Sequence, residues 1–183
     1  MRYLVLAVGA VALAAASGAA GQAVTTIGSS AAQACYEAAR DQRAAQAELS
    51  NCDRALSDGL ATTDRVATHV NRGILRALRG EHGRALGDYE TAIAIDPGQA
   101  EAFLNKGLLL LRLPNRDRDA LAALNLAIAR RTSEPALAYF ARGVAHEGLG
   151  DLSAALRDYR QAAALAPQWA LPARELRRFR AKS

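Results

Sequence analysis

The sequence predicts an all-α fold, a solenoid of antiparallel helix pairs stacked in series, and three observations carry that expectation. Val70-Asn71-Arg72-Gly73 returns as Leu104-Asn105-Lys106-Gly107 and again as Phe140-Ala141-Arg142-Gly143. Each is followed by a second helical pattern, Asp88-Tyr89-Glu90-Thr91-Ala92-Ile93, then Ala123-Leu124-Asn125-Leu126-Ala127-Ile128, then Asp158-Tyr159-Arg160-Gln161-Ala162-Ala163. The glycines stand 34 and 36 residues apart, and Ala92, Ala127 and Ala162 stand 35 and 35 apart. A period of this length that pairs two helices is the signature of a helical repeat array. Composition agrees: aromatics make up 5% of the chain while alanine, leucine and arginine abound, which suits close helix crossings and suits strands poorly.

The N-terminus stands outside that pattern. Arg2 precedes an apolar run from Tyr3 to Ala16, and small residues follow through Ala23. Residues 1–23 are expected to be a secretory signal peptide, cleaved after Ala19 or Ala23. The run is short for a membrane span, which needs about 20 residues; an uncleaved anchor is the other reading. Residues 24–30 are small and polar and are expected to form a flexible leader. The two cysteines, Cys35 and Cys52, are an even set in an exported chain and point to a disulfide, with buried free thiols the alternative. A bridge between them would close a loop of 17 residues.

Residues 31–63 are expected to be a degenerate helix pair, Ala31–Arg40 and Arg43–Leu56, with Cys52 and Ala55 at the places of Tyr89 and Ala92. An end unit lacks one neighbour and departs from the pattern for that reason. Gly59 can end its second helix. Thr62 or Thr63 can cap the next helix, with Asp64 in the first turn. Three full units follow, 66–99, 100–134 and 135–169, within a region spanning 64–169. The first pairs Asp64–Arg79 with Arg84–Ile95, and Asp96-Pro97 stops it. The second turns at Pro114–Asp117 and has Thr132 where the others close on proline. Pro135 opens the third, which Pro167 closes. Residues 170–183 are expected to be a basic capping helix, with Trp169, Leu171, Leu176 and Phe179 turned onto the last unit.

These units resemble tetratricopeptide repeats. The resemblance rests on the first-helix glycines Gly73, Gly107 and Gly143, the second-helix alanines Ala85, Ala120, Ala155, Ala92, Ala127 and Ala162, the fillers Tyr89, Leu124 and Tyr159, and the closing prolines Pro97 and Pro167. Arg72 and Lys106 depart from it, standing where the family often has leucine. The resemblance implies a right-handed superhelix and a non-catalytic protein that binds a peptide or partner helix in the concave groove of the first helices. Mapped onto this chain, that groove comprises Val70, Asn71, Ile74 and Leu78; Leu104, Asn105, Leu108, Leu111 and Arg112; and Leu137, Phe140, Val144 and Glu147. A family subset clamps acidic C-terminal peptides, but the clamp positions here hold Val70, Ile74, Leu137 and Ala141, and only Asn105 survives. The groove is therefore expected to be apolar, with asparagines able to bond an extended backbone or a helix end. Its occupant is either an amphipathic partner segment or a segment of the chain itself, the leader or the C-terminal helix.

Catalytic and metal-binding patterns are not expected. His69, His82 and His146 have no ligand spacing. Asp88 and Asp158 fall at equal repeat positions and are expected to be repeat surface. His146 beside Glu147 is the single candidate general base. No cofactor is implied. The net charge of +5 is modest, and no basic run interleaves with stacking aromatics, so no nucleic-acid partner is expected. The expected function is a scaffold in the bacterial periplasm holding a protein segment in its apolar groove. The alternative is an envelope-associated protein, its groove self-occupied, whose Arg174, Arg177, Arg178, Arg180 and Lys182 meet an anionic surface.

Overall fold

The computed structural model describes residues 22–25 and 30–180. Among these run nine helices and no strand: α1 Ser30–Arg40, α2 Gln46–Ser57, α3 Thr62–Leu78, α4 His82–Ile95, α5 Ala100–Leu110, α6 Asp117–Ala129, α7 Pro135–Gly148, α8 Leu152–Leu165 and α9 Ala170–Arg180. They pair as α1/α2, α3/α4, α5/α6 and α7/α8, and α9 lies on α8. The first helix of each pair also touches the first helix of the next, α1 on α3, α3 on α5 and α5 on α7. The fold is thus the all-α solenoid that the repeats predict. Apart from Gln22 and Ala23, the expected signal peptide lies outside the described residues.

Helix ends follow local chemistry. Gly59, Gly80 and Gly150 have φ of 75°, 79° and 84° just after the caps of α2, α3 and α7, a left-handed conformation that glycine adopts without a Cβ penalty. After α6 the same place is held by Arg131 at φ 59°, and the Thr132 amide donates to the Ala127 carbonyl at 3.0 Å. This terminal motif stops α6 without the proline used by its neighbours. Three helix starts differ from expectation, one of them α4, which begins at His82 rather than Arg84. Helix α2 begins at Gln46 rather than Arg43, because Gln42 turns at φ 57° and the chain straightens through Ala45. Helix α3 begins at Thr62 and its cap residue is Ala61, with no side-chain cap bond. The threonines sit inside the first turn and do not cap it.

The core is a series of contacts between and within units. Tyr89, Leu124 and Tyr159 are almost fully buried, each against the glycine of its own unit. A Cβ built on Gly73 would lie 2.5 Å from Tyr89 Cε1, on Gly107 2.6 Å from Leu124 Cγ, and on Gly143 2.7 Å from Tyr159 Cε1. Cys35 and Cys52 form a disulfide and are wholly buried in the cluster that holds Val70, Ile74 and Tyr89. At the other end, Leu171, Trp169, Leu176 and Phe179 cover Phe140, Tyr159 and Ala162. Phe140 stacks obliquely on Trp169 at 4.8 Å and on Tyr159 at 5.3 Å between ring centres.

Two outcomes follow. Gly143→Ala should lower stability by about 1–3 kcal/mol, the usual range for overpacking. Gly83→Ala, where nothing lies within 4 Å, should leave it unchanged or raise it by about 0.5 kcal/mol; urea melts compare the two. Replacing both Cys35 and Cys52 by alanine should cost about 3 kcal/mol for a loop of this size, read from the same melts with and without reductant.

Candidate functional site

The residues that grip something are Asn71 and Asn105. They occupy equal positions on α3 and α5, two residues before the helix glycines, and they are 0% and 2% exposed. Buried carboxamides need partners for both their oxygen and their nitrogen. Here the partners are the chain's own residues 22–24. The Val24 amide donates to Asn71 Oδ1 at 2.7 Å, and Asn71 Nδ2 donates to the Val24 carbonyl at 2.7 Å. The Gln22 amide donates to Asn105 Oδ1 at 2.9 Å, and Asn105 Nδ2 donates to the Gln22 carbonyl at 3.1 Å. Each carboxamide copies the paired N–H and C=O that a neighbouring strand would offer. Residues i and i+2 of an extended chain present that pair on one edge, about 6.6–6.8 Å apart. The asparagines of two consecutive first helices meet residues 24 and 22, two apart along the chain. Ala23 and Val24 also pack on the apolar cluster of the first units. The leader, expected to be flexible from residue 24, is pinned at Val24.

The rest of the expected groove is used differently. Val70, Ile74 and Leu78 belong to the first core cluster. Leu104, Leu108, Leu111 and Leu137 belong to the second, between the middle and last units. Phe140 and Val144 belong to the third, under the cap. Arg112 is exposed. Glu147 accepts from Arg178 Nη2 at 2.6 and 2.7 Å and from the Tyr159 hydroxyl at 3.0 Å, so it anchors α9. An interior first helix such as α3 touches α1, α2, α4 and α5. Most of its apolar residues are therefore packing surface, which a map taken from one repeat alone assigns to the groove. At the third unit Ala141, fully buried, replaces the asparagine, so the clamp has two members.

Asp88 and Asp158 are not surface. They are 3% and 5% exposed. Arg72 reaches Asp88 through Nη2 at 2.7 Å and Nε at 3.1 Å, Arg76 adds Nη1 at 2.7 Å, and His69 Nδ1 lies at 3.3 Å. Burial pushes the Asp88 carboxyl up, but the bonds from His69 and Arg72 and the charges of Arg72 and Arg76 outweigh it and hold the group below the usual carboxylate range. Arg142 makes the equivalent bonds to Asp158 at 2.7 and 2.8 Å, with His146 Nε2 3.9 Å away. Both arginines also reach back to the preceding unit, Arg72 to Asp53 at 2.7 Å and Arg142 to Asn125 at 3.0 Å. Lys106, at the same position, reaches Glu90 at 3.0 Å. These cations tie each unit to the one before it, which accounts for Arg72 and Lys106 where the repeat family prefers leucine. His146 is part of this clasp. In the middle unit Ala123 replaces the carboxylate, and Ala123, Lys106, Phe103 and Leu126 border an open hollow of about 300 Å³. Its cations are already paired, Lys106 with Glu90 and Arg116 with Asp119.

Among the described residues no cluster of histidine, cysteine, aspartate or glutamate could hold a metal ion, and no helix is long and apolar enough to cross a membrane. Of the basic set on the cap, Arg178 is bonded to Glu147 and Glu175, while Arg174 and Arg177 are exposed. The side chain of Arg180 and all of Lys182 lie outside the described residues.

Fold and site together define an all-α helical-repeat solenoid in which two buried asparagines bond the main chain of Gln22 and Val24. Comparison agrees on the class: the tetratricopeptide repeat family profile matches residues 136–169, the third unit, so the chain carries a tetratricopeptide repeat. Among solved structures, it is similar to the MamA RS-1 ArsTM double mutant, with a TM-score of 0.66 and 20% identity over 81% of this chain and 82% of that one. That likeness is one of fold. No curated protein matches the sequence. Domains built from tetratricopeptide repeats generally bind protein partners.

Asp88→Asn should destabilise the fold by about 3 kcal/mol near neutral pH, because it leaves two arginines around an uncharged group. A carboxyl held below its unfolded value contributes stability above about pH 4, and that contribution fades as pH falls through the folded value. Thermal melts at pH 7 and pH 3 should therefore show the gap between the parent chain and Asp88→Asn narrowing in acid.

Proposed function

We propose that the protein is a non-catalytic interaction scaffold that holds an extended protein segment along its concave face through Asn71 and Asn105. The observation that carries this reading is the pair of two-bond contacts from those buried carboxamides to the backbone of Gln22 and Val24. Polar side chains so deeply buried are costly unless satisfied, at about 1–3 kcal/mol for each group left unpaired. Both are satisfied by main-chain atoms, so the two asparagines read backbone conformation, in the manner of strand addition. An extended occupant fits these contacts, in place of the amphipathic helix that the sequence leaves open.

Export to the periplasm belongs to the same proposal. It is supported by the signal-like run at the N-terminus and by the sealed Cys35–Cys52 bridge, since disulfides persist in oxidising compartments. The membrane-surface alternative draws less support, because Arg178 is engaged within the fold.

The test uses the full chain carrying Gln22→Pro and Val24→Pro, which removes the two amide donors of the bound leader, and a synthetic peptide of residues 20–26. Methylating the peptide nitrogen of Gln22 or of Val24 should weaken binding about tenfold or more, as expected for a lost bond with a buried acceptor left over. Methylating that of Ala23 should not. Equal sensitivity at all three nitrogens, or no binding of the unmethylated peptide, would refute the clamp.

A further inference from the structure

The three residues in the groove are joined to the molecule that binds them. Only 26–29 separate the described leader residues from α1, and α1 is tied to α2 by the disulfide. A segment tethered this closely competes with any free segment at an effective concentration in the millimolar range. Val24 sits on Asn71 of the first full unit and Gln22 on Asn105 of the second, so the bound strand runs N to C against the order of the repeats. Of its side chains, the small Ala23 and the β-branched Val24 lie partly buried on the apolar cluster, while Thr25 is exposed.

We infer that Gln22–Val24 is an internal stand-in for the partner, and that the groove admits an extended segment of the same polarity and pattern only by displacing it. The inference rests on the proposed clamp and adds two things: the class of partner and the means by which entry is controlled. The partner segment presents free amides at alternate residues, with a small residue followed by a β-branched one at the places of Ala23 and Val24. It runs with its N-terminal side toward the later units. Once such a segment is bound, residues 22–24 leave the groove. Of the two cleavage points that the sequence allows, removal after Ala19 keeps the strap whole. Removal after Ala23 would part Gln22 from Val24 and vacate Asn105.

The experiment compares the unaltered full chain with the chain carrying Gln22→Pro and Val24→Pro, using the fluorescent peptide of residues 20–26 as the probe. The expected result is binding to the altered chain about tenfold or more tighter than to the unaltered one, abolished when Asn71→Ala and Asn105→Ala are added. Equal binding to both chains would overturn the strap while leaving the clamp standing. Binding to neither would overturn the clamp itself. A dimer of the unaltered chain that dissociates in the proline variant would mean that the strap comes from a second copy, which also overturns the intramolecular inference. The intact mass of the exported protein supplies an independent reading: a start at Ala20 agrees with a retained strap, and a start at Val24 contradicts it.

Discussion

Gly73, Gly107 and Gly143 each meet the bulky side chain of the second helix in their unit at a distance that leaves no room for a methyl group. That close approach sets how the two helices of a unit lie together. The stacking of one unit on the next follows from it, since Tyr89 and Tyr159 adjoin Asp88 and Asp158, the carboxylates that Arg72 and Arg142 grip. Steric contact fixes the geometry within a unit, and the arginine bonds then join each unit to its predecessor. The middle unit uses weaker parts for both tasks, with Leu124 as filler, Ala123 in place of the carboxylate, and Lys106 on an exposed partner. It also borders the open hollow beside Ala123.

Regular stacking has a consequence on the concave side. Residues at equal positions of α3 and α5 bond the main chain at Val24 and Gln22, so two asparagines can act as a short surrogate strand. Neither asparagine is useful alone, because burying a carboxamide without partners is unfavourable. The clamp stops where the third unit carries Ala141, and from there the first helix turns its residues to the cap: Phe140 to Trp169, Glu147 to Arg178. The array thus divides its work along its length, holding a segment at the first two full units and closing itself off at the last.

Much of this was legible in the sequence. The period, the glycine–filler pairing, the cap and the cysteine pair all depend on local pattern or on repetition, and the helices appear where those patterns predict them. The asparagines were also visible as possible backbone ligands. What the pattern could not separate was packing from binding. Val70, Leu108 and Phe140 occupy positions that line the groove in related arrays, yet here each is spent on a neighbouring helix, because an interior helix has neighbours on nearly every side. Asp88 and Asp158 differ from the sequence expectation for a related reason. A charge at a repeated position suggests solvent, and only the recurrence of a cation at Arg72, Lys106 and Arg142 could have signalled a buried partner. The extent of Asn71 and Asn105 as a functional pair was hidden by distance along the chain, since their ligands lie 47 and 83 residues away.

The central claim is that two buried carboxamides hold alternate residues of an extended strand, and amide hydrogen exchange measures that residue by residue. In the full chain the amides of Gln22 and Val24 should be protected while that of Ala23 exchanges freely, and Asn105→Ala and Asn71→Ala should release Gln22 and Val24 respectively. If all three exchange at the rate of an unstructured peptide, the clamp does not hold the strand and the account fails.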